Sequence, residues 1–180
     1  MKKFICLFAF LFVGSVNAAV VSDFTGDYDV GNWDQTLDGG SIDLSGAPLS
    51  IVEISSNGGG GSSATDFTIA ATGDGMVTFD WYYTTTDVDG SGFDPFGWLL
   101  NGAFTQLTTN GLFTDQAGTT SFGVVMGDIF GFSAVATDSI LGSASTTISN
   151  FSAPVPEPSS LVILALGLAG LGMARNKKRR

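Results

Sequence analysis

An all-β fold, a two-sheet, jelly-roll-like β-sandwich, is predicted for residues 19–153 by three observations. The segment is rich in Gly, Thr, Ser, Phe and Asp and carries no long helical periodicity. Residues 76–84 alternate strictly, with Val77, Phe79, Trp81 and Tyr83 set against Thr78, Asp80, Tyr82 and Thr84, so one face belongs to a core and the other to water. Turn signals recur about every eight to twelve residues, the spacing of short strands in a sandwich. They include the dipeptides Asp38-Gly39, Asn57-Gly58, Asp74-Gly75, Asp89-Gly90, Asn101-Gly102 and Asn110-Gly111, pairs that tolerate the positive φ of tight hairpins.

In chain order the predicted strands are residues 20–25, 41–44, 49–55, 67–71, 76–84, 98–100, 103–108, 121–126, 129–136 and 145–151. Residues 98–100 and 103–108 flank Asn101-Gly102 as a hairpin, and 121–126 and 129–136 flank Gly127-Asp128 as a second. Residues 57–63, with Gly58, Gly59, Gly60 and Gly61 in succession, read as a flexible loop. They lack the Lys and following helix of a phosphate cradle. With both ends set aside as targeting segments, the 180-residue chain has the length for one domain, residues 19–153.

Residues 1–18 have the three parts of a signal peptide. Lys2 and Lys3 are the positive start, residues 4–13 the apolar stretch, and Val16-Asn17-Ala18 the small-residue site, which predicts cleavage by signal peptidase after Ala18. The single cysteine, Cys6, leaves with it, so the exported part has no disulfide.

At the other end Pro156, Glu157 and Pro158 lie in a linker, residues 154–160. A predicted transmembrane segment follows at 161–174 and a basic cytoplasmic tail at 175–180. Fourteen residues rise about 21 Å as a helix, short of the ~30 Å hydrocarbon core. The prolines keep the backbone around Glu157 extended, as a processing enzyme requires. This order of Pro156-Glu157-Pro158, a Gly/Leu-rich run with Gly167, Gly170 and Gly172, and an Arg/Lys cluster resembles the PEP-CTERM sorting signal of Gram-negative bacteria. The resemblance implies an exosortase, a membrane-embedded transpeptidase-like enzyme, as partner, with cleavage near Pro-Glu-Pro. It also implies a single-pass inner-membrane intermediate with the domain outside, then release or attachment at the cell surface. Proteins of this kind are linked to exopolysaccharide and biofilm matrix.

All seven basic residues lie outside residues 4–174, all 17 acidic ones fall between Asp23 and Glu157, and histidine is absent. So anionic a domain repels phosphate backbones, which excludes nucleic acid as a partner. The same inventory excludes Ser-His-Asp and Cys-His catalysis, Schiff-base lysines and imidazole zinc sites.

Two constellations remain. Asp87, Asp89, Ser91 and Asp94 imitate the first half of a calcium loop, with Ca²⁺ as the candidate cofactor, although Trp98 stands where the closing Glu of an EF-hand belongs. Trp33, Tyr82, Phe93, Phe96 and Trp98 are candidates for a polysaccharide site, because sugar rings dock on exposed aromatic faces. Trp81 and Tyr83 are read as core. The function expected is a non-enzymatic, exported surface or extracellular-matrix protein that binds calcium or polysaccharide. The alternative is an Asp-dependent, polysaccharide-active hydrolase.

Overall fold

The computed structural model describes residues 19–156 and 167–168. Ala18, Glu157, Pro158 and the segments 1–18 and 175–180 lie outside them, as does 161–174 apart from the helical Gly167 and Leu168. Among the described residues no helix is long and apolar enough to cross a membrane.

Among the described residues eleven strands form: β1 (Ala19–Ser22), β2 (Asp34–Thr36), β3 (Ser41–Asp43), β4 (Ser50–Ile54), β5 (Ser63–Ala70), β6 (Gly75–Thr85), β7 (Phe96–Leu100), β8 (Ala103–Gln106), β9 (Gln116–Val124), β10 (Ile129–Ala136) and β11 (Ala144–Val155). They make two antiparallel sheets. One has the order β3-β4-β11-β6-β9, with β1 also on β11; the other has the order β2-β5-β10-β7-β8.

The alternation read in residues 76–84 holds along β6. Val77, Phe79, Trp81 and Tyr83 are buried and Tyr82 is exposed. Facing them, Phe130, Phe132 and Ala134 of β10 and Phe67 of β5 are buried from the second sheet. Aromatic stacking joins the layers: Trp98 of β7 lies 4.0 Å from Phe122 of β9 with rings 5° from parallel. Such contacts and backbone ladders carry a domain that has no Lys or Arg to pair its carboxylates.

The hairpin at Asn101-Gly102 forms, with φ of 50° and 80° at the two residues, the left-handed pair that a tight two-residue turn demands. The second expected hairpin does not. β9 pairs with β6 in one sheet, while β10 pairs with β5 and β7 in the other. Phe122 and Val124 enter the core from one layer and Phe130 and Phe132 from the opposite one, so Gly127-Asp128 carries the chain across the end of the sandwich.

Two further differences concern boundaries. β2 arises in an all-exposed stretch without apolar alternation and lies on β5. It follows directly from Trp33, which is buried between Phe67 at 4.6 Å and Phe132 at 5.6 Å. The domain also runs past Ala153, because Pro154 and Val155 continue β11 and pair with Val20 and Ala19.

Candidate functional site

The strand ends divide the sandwich into two poles. At one, Ala19 faces Val155 and the 71–74 and 125–128 turns meet through the hydrogen bonds Gly127 N–H to Ala71 O (2.8 Å) and Met126 N–H to Asp74 Oδ1 (2.7 Å). At the other, long loops gather at residues 55–62, 86–95, 107–115 and 137–143. Asp87, Asp89, Ser91, Phe93 and Asp94 all sit in the 86–95 loop.

That loop is fastened on both sides. Thr86 N–H donates to Ser143 O at 2.9 Å, and Ser91 N–H to Leu112 O at 3.0 Å. Asp87 is buried, and its Oδ1 accepts Asp89 N–H at 2.6 Å, an Asx turn. Ser91 is fully buried; its hydroxyl donates to Thr109 O at 2.7 Å and accepts Leu112 N–H at 3.0 Å. Asp94 is buried too, accepting Ser55 Oγ–H on Oδ1 at 2.7 Å and Tyr83 O–H on its carbonyl at 2.9 Å.

Burial pushes the Asp94 carboxyl up to about 6, against the pull of the Ser55 hydrogen bond and with help from the charges of Asp87 and Asp138. Three of the oxygens proposed as calcium ligands, Asp87 Oδ1, Ser91 Oγ and Asp94 Oδ1, are thus engaged within the protein, while the buried Asp94 Oδ2 has no partner among the described residues and Asp89 is exposed. Among the described residues no three carboxylates assemble into a group that could hold a metal ion. By accepting Asp89 N–H, Asp87 shapes the turn at Asp89, the local role that closely spaced Asp residues serve in loops.

The aromatic candidates separate in the same way. Trp33 and Phe96 are core residues, Trp33 donating from Nε1 to Tyr28 O at 3.0 Å. Trp98 is half-buried against Phe122. The cause is parity: β7 begins at Phe96, so Phe96 and Trp98 both point inward. Tyr82 and Phe93 remain exposed. Tyr82 O–H donates to Asp115 Oδ2 at 2.5 Å, and this bond raises the phenol's pKa.

Sequence reasoning missed Phe113, which is 70% exposed. A Cβ on Gly90 would meet its ring at 3.2 Å, so Gly90, at φ 86°, lets the aromatic of one loop lie on the backbone of the other. Leu112, Val88 and Leu141 are exposed nearby in the same set of loops. The signal available in the sequence was the pair Leu112-Phe113 beside the turn Asn110-Gly111, an apolar pair that no alternation carries inward.

The tetraglycine loop is tied down rather than free. Gly59 and Gly61 N–H donate to Ser139 O and Asp138 O at 2.9 and 3.0 Å. Together with Asp38, Gly39, Ser56, Ser63 and Ser139 it lines an open pocket of about 250 Å³.

No curated protein matches this chain. Solved structures similar to it include a family 35 carbohydrate binding module from Clostridium thermocellum, at 12% identity and TM-score 0.37, covering 73% of this chain and 98% of that one. Another is a family 29 carbohydrate binding module, at 15% identity and TM-score 0.43, covering 77% and 86%. A third is a family 35 module from Paenibacillus barcinonensis, at 14% identity and TM-score 0.35, covering 73% and 98%. Residues 154–180 match the family described as PEP-CTERM protein-sorting motif. The motif therefore begins at Pro154, inside the last strand of the domain, and the chain is a carrier of the PEP-CTERM sorting signal.

Proposed function

We propose that this chain is an exported, non-enzymatic surface or extracellular-matrix protein, sorted through its PEP-CTERM tail by an exosortase, whose looped pole binds polysaccharide. The sorting motif at residues 154–180 carries the reading. The last strand ends at Val155, the second residue of the motif, so processing beyond Val155 leaves every strand of the domain intact. Signal peptidase acts at Ala18, and the inner membrane holds the tail until the exosortase acts.

Exposed Phe93, Phe113 and Tyr82 supply apolar ring faces, and the serine-lined pocket supplies hydroxyl partners, the combination that suits a neutral polyhydroxylated ligand. The alternative hydrolase needs two carboxyl groups facing each other across a cleft at about 5 to 9.5 Å. The two carboxyls with raised pKa values, Glu53 and Asp94, are both buried instead of facing a cleft.

The ligand is tested by glycan-array binding of residues 19–156. Binding to neutral polysaccharides that is lost in Phe113→Ala is the expected result. No binding to any glycan would contradict the polysaccharide reading while leaving the sorting reading untouched.

A further inference from the structure

The pole opposite the long loops has its own chemistry. β1 runs antiparallel to the end of β11 in full register, Ala19 on Val155 and Val20 on Pro154, so the two apolar segments read in the sequence join the domain at one place. The exit is fixed. Tyr28 O–H donates to Pro154 O at 2.6 Å and accepts Thr72 N–H at 3.1 Å. Gly73 lies so close to the Val155-Pro156 peptide that a Cβ there would stand 2.7 Å from Val155 C. From Pro156 to Leu161, where the apolar run begins, five residue steps span at most about 18 Å. A tail held in a bilayer therefore keeps this pole at the bilayer surface.

The pole is apolar where it faces outward. Met126 is 63% exposed, Val125 58%, Met76 52% and Ile129 46%. Of the carboxylates beside them, Asp74 is exposed and Asp128 half-buried, and both hold the turn. Asp74 Oδ1 takes Met126 N–H, while Asp128 takes Val125 N–H on Oδ2 at 2.9 Å and Asn101 on Oδ1 at 2.9 Å. Asn101 Oδ1 in turn accepts Ile129 N–H at 3.0 Å.

We propose that, while the tail is anchored, this pole docks on the outer face of the bilayer, with the Val125-Met126 turn inserted at the boundary between headgroups and acyl chains. The inference rests on the sorting reading, which puts the tail in a membrane. An anionic domain gains nothing from an anionic surface, so the contact is short-range burial of apolar side chains. Docking holds Pro156 and the residues after it at the membrane surface, where a membrane-embedded enzyme works, and turns the looped pole outward.

The test uses residues 19–180, which carry no cysteine, so that Met126→Cys or Val88→Cys supplies the single thiol for an environment-sensitive dye. Each is reconstituted into phosphatidylcholine vesicles with and without brominated acyl chains. Ile129→Cys is the second site should Met126→Cys fold poorly. The dye at 126 or 129 is expected to be quenched by bromolipid about two-fold or more, and the dye at 88 not at all. Chain that floats with the vesicles while both poles stay unquenched overturns the docking alone. Chain that does not float overturns the anchored-tail reading and the docking with it.

Discussion

Glu53 of β4 and Thr146 of β11 face each other in register, both buried in the sandwich, and neither side chain has a hydrogen-bond partner among the described residues. An ionised carboxylate there would lack both water and a counter-charge. Burial holds the Glu53 carboxyl well above the usual range, and the nearby Asp66 charge adds to it.

Stability is therefore expected to fall as pH rises. A carboxyl with a raised folded pKa contributes stability in full below its unfolded pKa and loses it as pH climbs through the folded value. Glu53 and Asp94 both act in this direction, Asp94 through about 6. Asp43, Asp80 and Asp128 have lowered values and act oppositely, losing their contribution only as pH drops below the ordinary 3.8. Thermal denaturation from pH 4.5 upward should show a falling Tm. Glu53→Gln, which needs no ionisation, should be more stable than the parent at pH 8 by about 1–3 kcal/mol. An unchanged pH profile in that variant would contradict the assignment.

Tyr28 ties the first turn of the domain to its last strand. Tyr28→Phe removes the donor to Pro154 O and the acceptor of Thr72 N–H, at a cost of about 1–2 kcal/mol in denaturant unfolding. Amide exchange at Val155 should quicken more than exchange in β6. Uniform exchange changes along the chain would count against a local clamp.

Aromatic substitutions should divide by pole and face. Trp33→Ala, which empties the stack between Phe67 and Phe132, should destabilise by about 3–5 kcal/mol. Phe113→Ala and Phe93→Ala should each change unfolding free energy by less than about 1 kcal/mol while weakening polysaccharide binding. Equal losses of stability at both kinds of position would contradict the separation of core from surface.

Calcium should not stabilise the domain specifically. The Ser91 hydroxyl and Asp87 Oδ1 are already engaged in the loop, so Ca²⁺ should raise Tm no more than Mg²⁺ at equal ionic strength, through screening of a strongly anionic surface. A rise specific to Ca²⁺ and lost in Asp89→Ala would contradict this and establish the calcium loop.

Legibility in the sequence followed the length of a signal. The alternation of residues 77–84 made β6 readable, and Asn101-Gly102 made its hairpin readable, because a single local rule decides each. Trp33 and Phe96 were misplaced because both lie next to polar or turn-forming neighbours, and only tertiary packing shows which way such a side chain points. Gly127-Asp128 has hairpin composition, yet the choice between pairing and crossing depends on which sheet takes each strand. Phe113 went unread because an exposed aromatic in a loop has no periodicity to announce it.

The most direct test of the account is the intact mass of the protein in the surface fraction, with and without the exosortase. With the enzyme, the product should begin at Ala19, retain everything through Val155, and lack residues 161–180. Without it, the chain should stay in the membrane fraction and end at Arg180. A surface product that still ends at Arg180, or a cut inside β11, would contradict it.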